Sequence, residues 1–346
     1  MTTCETQALL KQLEATVEGN LDRHLASAED WMPHEYVPWS EGRNFAVLDG
    51  EPWSAEQSRL SPAARTALEV NLLTEDNLPS YHRELGGTFG RQGAWGVWVN
   101  RWTAEEYRHA SCIRDYLLVT RGVDPQRLER ARMATMQAGF DSGDKPLLHA
   151  CAYVCFQELA TRVSHRNTGR YSADPVAERL LARIAMDENL HMIFYRNLVT
   201  AALEITPGPT LRAITDEVIS FAMPGSVIPG YARSAVQIAK AGIYDLRIHH
   251  DDVIMPLVRH WRIFEAEGLD AEGEQARGDL KAALEALDAR AARFVERRAE
   301  AEAGRSASRG QVALDDPSVT AYRRPHQGKP EPGPLHVACA NSCGMR

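Results

Sequence analysis

Two short stretches, AEEYRHA around Glu106–His109 and MDENLHM around Glu188–His191, carry the same Glu-x-x-His pattern. On an α-helix a spacing of three puts both side chains on one face, so a carboxylate and an imidazole can reach the same point. One copy alone is a weak signal in a chain with 12 His and 25% charged residues. The pair is a strong one, because each copy follows another glutamate at nearly the same distance. The interval from Glu75 to Glu106 and that from Glu158 to Glu188 differ by a single position. Glu75 to Glu158 and Glu106 to Glu188 are likewise equal to within one position, which makes the whole unit an internal repeat.

Residues meet across an antiparallel helix pair only when the turn lies near their sequence midpoint. The midpoint of 75 and 106 falls in GGTFGRQG, and that of 158 and 188 in NTGRYSADP, both rich in turn residues. Each pair is therefore expected level across an αα-hairpin, roughly 20 Å from its turn at about 1.5 Å per residue. Two such hairpins packed together bring four carboxylates and two imidazoles into one interior. Buried carboxylates cost several kcal/mol each unless paired or metal-bound. Oxygen and nitrogen donors without thiolate favour iron or manganese over structural zinc. A Glu plus a Glu-x-x-His from each half is the arrangement of the ferritin-like di-iron and di-manganese carboxylate proteins. The expected ligands are Glu75, Glu106, His109, Glu158, Glu188 and His191, holding two iron or two manganese ions.

The rest of the chain reads as all-α. Leu9, Leu10, Leu13, Val17, Leu21 and Leu25 form a helical stripe, and six segments between Pro62 and Met223 suit long helices, TALEVNLLTEDNLPSYHREL among them. Residues 29–62, with Trp31, Pro33, Pro38, Trp39, Pro52, Trp53 and Pro62, cannot form one regular element. Residues 271–303 read as a charged, Ala-rich helix. One ferritin-like domain over 1–303 is expected, and the Ser/Arg/Pro/Gly composition from Gly304 reads as a disordered tail, 304–346.

Composition excludes other classes. The longest stretch free of Asp, Glu, Lys and Arg runs from Val218 to Ala232 and is interrupted by Pro224 and Pro229. It falls short of the roughly 20 residues a spanning helix needs, so membrane insertion is not expected. A net charge of −8 argues against a general nucleic-acid binder. The N-terminus resembles neither a signal nor a transit peptide, and six cysteines without a CxxC pair suit a reducing compartment. A cytoplasmic protein is expected.

Several neighbours of the repeat invite a role. Asp187 and Glu105 each precede a ligand Glu and can accept the second ring N–H of the opposite motif's His, or serve as ordinary surface acids. Thr161, one turn after Glu158, presents its hydroxyl to the metal or bonds back to its own helix. His249, His250, Asp251 and Asp252 read as structural or exposed, Cys151 and Cys155 as core. His336, Cys339 and Cys343 make an incomplete zinc set.

The segments LLTEDNLPSY, RWTAEEYRHA, FQELATRVSHRNTG and DENLH resemble the signatures of the soluble acyl-acyl carrier protein (acyl-ACP) desaturases, of the plastid stearoyl-ACP type and most closely their actinobacterial relatives. The resemblance covers roughly residues 5 to 300, and all six ligand positions match. It implies two irons on those ligands, Thr161 in the position assigned to oxygen activation, and Trp31 on an electron path through His109 with Asp187 beside it. It further implies a homodimer, a ferredoxin-like electron donor, and a fatty chain on acyl carrier protein held in an apolar tunnel. The reaction implied is cis desaturation with O2 and two external electrons. A hydroxylase or oxidase of a carrier-bound acid and a non-catalytic ferritin-like metal binder are the alternatives. The plant motif DEKRH reads DENLH here, with Asn189 and Leu190 in place of lysine and arginine. Arg83, Arg101 and Arg108 are candidates for a basic patch facing the acidic carrier.

Overall fold

The computed structural model describes residues 3–314, with side chains over 4–304, and no strand occurs among the described residues. The first compact unit, residues 1–296, contains α1 (Thr3–Ser27), α2 (Pro62–Glu75), α3 (Leu78–Phe89), α4 (Gly93–Val119), α5 (Pro125–Ala138), α6 (Leu147–Ser172), α7 (Pro175–Ile205), α8 (Pro207–Ser220) and α9 (Tyr231–Lys240). A short α10 (Leu246–Ile248) runs through a π-helical turn, His249–Ile254, into α11 (Met255–His260). The last helix, α12 (Ala271–Leu314), crosses into the second unit, which begins at Arg297. No described helix is long and apolar enough to cross a membrane.

Three helices begin the same way. Ser61, Asp124 and Asp174 accept hydrogen bonds from the first free backbone N–H groups of α2, α5 and α7, and Pro62, Pro125 and Pro175 occupy the first helical position. Each cap is worth about 1 kcal/mol, and the proline occupies a site whose N–H needs no partner. TEDNLPS breaks the helix that the sequence reads as continuous from Thr66 to Leu85. Pro79 has no N–H to give the carbonyl of Glu75, and its ring would collide with it. The chain turns at Asp76 and Asn77, leaving Glu75 as the last residue of α2.

At the other end, α12 passes Gly304 and continues to Leu314. RSASRGQVAL contains no proline, and Pro317 is the next strong breaker. The tail reading for residues 315–346 lies outside the described residues, as do His336, Cys339 and Cys343.

The irregular segment 29–62 holds four 3-10 turns, at Pro33–Tyr36, Trp39–Glu41, Ala46–Leu48 and Ala55–Gln57. It is organised around Arg121, which follows α4 with a φ of 54° and a side chain 2% exposed. Its guanidinium donates to the carbonyls of Asn44 and Glu51 at 2.8 Å each and to Gln57 Oε1 at 3.0 Å, and stacks 4.3 Å from the Phe45 ring.

Two large apolar clusters flank the centre of the bundle. One joins Leu9, Leu13 and Val17 of α1 to Trp95 and Trp98 of α4, Phe156 of α6 and Phe194 and Leu198 of α7. The other joins Leu68 and Leu72 of α2 to Ile113 and Leu117 of α4 and Leu180 and Ile184 of α7. Between them, the middle turns of α4, α6 and α7 and the end of α2 contribute a polar layer: Glu105, Glu106, His109, Glu158, Thr161, Asp187, Glu188, His191 and Glu75. That layer is where the sequence repeat converges.

Candidate metal centre

Glu75 comes from α2, Glu106 and His109 from α4, Glu158 from α6, and Glu188 and His191 from α7. None of the six is more than 6% exposed. Potential ligand atoms of Glu75, Glu106, His109 and Glu188 lie within 4.8 Å of one another, and so do those of Glu106, Glu158, Glu188 and His191. Glu106 and Glu188 belong to both groups, so two adjoining ion positions share two carboxylates.

His109 Nδ1 lies 3.4 Å from oxygens of both Glu106 and Glu188 and 3.8 Å from Glu75. His191 Nδ1 lies 2.9 Å from Glu106 and 3.5 Å from Glu158. Yet Glu106 Oε1, His109 Nδ1, Glu158 Oε2, Glu188 Oε1 and His191 Nδ1 are all buried without a well-directed hydrogen bond. A native interior leaves few such atoms, and five gathered in two adjoining ligand groups call for an occupant. These are the oxygens and nitrogens that a pair of hard or borderline cations would take, so the residues fit a dinuclear metal site.

The proton affinities agree. Burial, then the charge of Glu188, pushes Glu158 well above the usual carboxylate range, and Glu106 is raised for the same two reasons. Burial opposes charge on both imidazoles, but the surrounding carboxylates prevail and hold His109 and His191 well above their ordinary value. Burial also works against ionised Glu75, yet the neighbouring His109 and the hydrogen bond with His165 keep it below its ordinary value. Without cations the cluster neutralises itself with protons, the behaviour expected of a set of groups that metal would otherwise bind.

A further layer repeats as regularly as the ligands. Asp187 Oδ2 accepts from Trp31 Nε1 at 2.7 Å and His109 Nε2 at 3.3 Å, and Oδ1 accepts from Arg183. Glu105 Oε2 accepts from His24 Nε2 and His191 Nε2, each at 2.9 Å, and Oε1 accepts from Arg101 Nε at 2.6 Å. Burial alone would raise both carboxyls, but hydrogen bonds to the imidazoles prevail and keep them below their usual range. An ionised carboxylate only accepts, so Nε2 of each ligand imidazole carries a proton toward it, which leaves Nδ1 as the atom that a bound cation would take in place of a proton.

Trp31 packs parallel to His109 with centroids 6.4 Å apart, beneath the guanidiniums of Arg108 at 5.1 Å and Arg183 at 5.8 Å. Thr161 Oγ1 is 2.8 Å from Glu188 Oε2 and 3.0 Å from the carbonyl of Glu158. With a single proton it donates to one at a time, so the geometry accommodates both sequence readings. Of the arginines expected at a basic patch, Arg101 and Arg108 also pair with the buried Glu105 and Asp187, and Arg83 pairs with Glu84 while staying exposed.

Four contributors lie beyond the sequence reading. His165 Nε2 bonds Glu75 Oε1 at 2.7 Å, and Trp102 Nε1 donates to Glu158 Oε1 at 3.0 Å. His165 follows Glu158 by seven positions, two helical turns on the same face, a usable signal. Arg183, paired with Asp187 as Arg101 is with Glu105, extends the repeat to Arg-x-x-x-(Glu/Asp)-Glu-x-x-His, a pattern present in the sequence itself. The fourth, His24, has no local signature. His249 lies apart from this centre, stacked on Phe221 and bonded to Tyr244 Oη at 2.8 Å, and its burial lowers its pKa to about 4.

Two small cavities lie by the centre. One, of about 40 Å³, is lined by Tyr81, Leu85, Trp102, Phe140, Tyr153 and Val154, with Trp102, bonded to Glu158, between it and the ligands. The other, of about 70 Å³, includes Glu75, Thr161, His165, Met223, Ile238 and Tyr244.

Comparison with known proteins bears on this arrangement. The fatty acid desaturase family model matches residues 5–311. The chain is 49% identical to the acyl-[acyl-carrier-protein] desaturase DesA1 of Mycobacterium tuberculosis over 81% of its length and 85% of that protein. It is 30% identical to the chloroplastic stearoyl-[acyl-carrier-protein] 9-desaturase of Gossypium hirsutum, covering 79% of this chain and 73% of the relative. The X-ray structure of the acyl-ACP desaturase DesA2 from M. tuberculosis superposes with a TM-score of 0.64 at 32% identity, over 78% of this chain and 99% of that one. With its ferritin-like, all-helical architecture, the chain belongs to the fatty acid desaturase family.

Proposed function

We propose that this chain is an acyl-ACP desaturase that introduces a cis double bond into a carrier-bound fatty acyl chain. The observation that carries the reading is the pair of overlapping ligand groups with five unsatisfied inward-facing atoms, set beside an apolar cavity. Glu75, Glu106, His109, Glu158, Glu188 and His191 would hold two iron ions, which when bound supply the O2 activation needed to remove hydrogen from unactivated methylenes. In the balanced reaction the acyl chain gives two electrons and two protons, an external donor two electrons, and solvent two protons. O2 leaves as two waters.

The protein's own part is positional. Tyr81, Leu85, Phe140, Tyr153 and Val154 wall an apolar slot for the chain, and Trp102 both lines that slot and fixes the Glu158 carboxylate. The hydroxyl of Thr161 holds a proton within reach of Glu188 Oε2. Trp31, bonded to Asp187, which is bonded to His109, makes a hydrogen-bonded line from the N-terminal segment to the centre. We assign it to electron entry from a ferredoxin-like donor. The proposal includes one desaturase domain over residues 1–303, a homodimer and a cytoplasmic location.

The test is to load the protein anaerobically with Fe2+, count bound iron, then supply reduced ferredoxin, O2 and a panel of acyl-ACPs. Two irons per chain and a product two mass units lighter support the proposal. A gain of one oxygen atom would make it a hydroxylase, and loading without any O2-dependent product would make it a metal binder.

A further inference from the structure

The layer outside the ligands is two-fold symmetric in its carboxylates and arginines but not in its ring donors. Asp187 is supported by Trp31, and Glu105 by His24. Both donors come from the N-terminal segment, His24 from the last turn of α1 and Trp31 seven positions later. His24 is 3% exposed, stacks on His191 with centroids 5.8 Å apart, and meets the Trp98 ring edge-on at 5.1 Å. His24 Nε2, Glu105 Oε2 and His191 Nε2 are close enough together to hold an ion. Their 2.9 Å separations, however, are hydrogen-bond lengths, with one carboxylate oxygen taking both N–H groups.

We propose that His24 is a positioning residue for one half of the metal centre: through Glu105 it fixes His191, so the end of α1 belongs to the site. The inference rests on the dinuclear reading above. Glu105 has two rotatable torsions before its carboxyl group, and Arg101 and Arg108 hold only the other oxygen. Without the His24 N–H, the oxygen that orients His191 is secured by the imidazole it is meant to orient. Groups that orient metal-bound histidines typically change metal affinity 10- to 100-fold when removed. Because His24 touches only the His191 side, that loss falls on the position formed with Glu158 and spares the one formed with Glu75 and His109.

The test titrates Mn2+, and Fe2+ under anaerobic conditions, into the wild-type chain and into His24→Leu and His24→Gln. Leu retains bulk without a donor, and Gln restores an N–H toward Glu105. The expected result is two ions for wild type and His24→Gln, and a second ion bound about 10- to 100-fold more weakly in His24→Leu. The Mn2+ spectrum of a coupled pair then gives way to that of an isolated ion at stoichiometric loading. Adding His24→Leu to Glu158→Gln should cost no further ion, whereas adding it to Glu75→Gln should remove the remaining one. Unchanged binding of both ions in His24→Leu, or equal weakening of both, overturns the inference. If His24→Leu does not fold, His24→Gln with wild-type binding together with Glu105→Leu losing the same single ion supports it, and Glu105→Leu retaining both ions overturns it. Failure of the wild-type chain to bind two ions would instead sink the dinuclear reading.

Discussion

Glu158→Gln should make the metal-free protein more stable while destroying half of its metal site. Glu158 is fully buried, and burial together with the neighbouring Glu188 charge raises its pKa well above the ordinary value. The unfolded chain has no such penalty. A carboxyl whose folded pKa is raised costs nothing at pH below its unfolded pKa, and its penalty grows as pH climbs toward the folded value. Each tenfold difference in proton affinity between the two states is worth about 1.4 kcal/mol. Glutamine keeps the acceptor that Trp102 uses and replaces the charge that repels Glu188 with a neutral amide. The gain at pH 8 is on the order of 1–3 kcal/mol, the range for relieving one buried polar group left unpaired. For a domain of this size, with about 2 cal/mol/K per residue of unfolding entropy, that is about 2–5 °C in Tm. The assay is thermal unfolding after chelation, at pH 4 and pH 8, then again with excess Mn2+. The variant should exceed wild type at pH 8, match it near pH 4, and fall below it with metal, because wild type alone gains the full binding term. A variant less stable than wild type at pH 8 without metal would refute the claim that the carboxylate is held there against repulsion.

Trp31→Phe keeps an aromatic ring but removes the N–H to Asp187, a charge-assisted bond worth about 1.5–3 kcal/mol. Expressed wholly in the rate, that is a roughly 10- to 100-fold slower ferredoxin-dependent turnover with two irons still bound; single-turnover reduction kinetics decide it, and an unchanged rate removes Trp31 from electron entry. Thr161→Val should retain both irons and lower the product formed per O2 consumed, read by an oxygen electrode against product mass. Equal coupling would leave the hydroxyl with a structural role only. Arg121→Leu strips donors from the carbonyls of Asn44 and Glu51 and should cost about 2–4 kcal/mol in urea unfolding, with new protease cleavage between Gly42 and Gln57. Cleavage elsewhere first would count against Arg121 as the organiser of that segment.

What can be read from sequence follows from what has a period. Helical repeats and Glu-x-x-His spacings survive as patterns because neighbouring residues on one helix share a face, so Glu106 with His109 and Glu188 with His191 are visible at once. Turn residues at the midpoints add Glu75 and Glu158, since hairpin geometry links sequence distance to height. Contacts between elements remote in sequence have no such signature. His24 of α1 reaches Glu105 of α4, and Arg108 turns inward because α7 places Asp187 beside it. The break at Asp76–Asn77 is legible in Pro79 but is outweighed by the apolar run around it, and the persistence of α12 through Gly304 and Gly310 shows that isolated glycines are each a small cost.

Arg121 has a consequence for how this chain tolerates change. The segment it gathers is bound through main-chain carbonyls of Asn44 and Glu51, which every residue type possesses, and through a few side chains of its own, Gln57, Phe45, Trp53 and Ser58. Substitutions at Val47 and Leu48, which are 95% and 67% exposed, leave that scaffold intact. The surface over this face can therefore diversify freely, provided a single arginine at the end of another helix is kept. A loop held in this way can acquire new binding preferences without drawing on the stability of the core or disturbing the metal ligands.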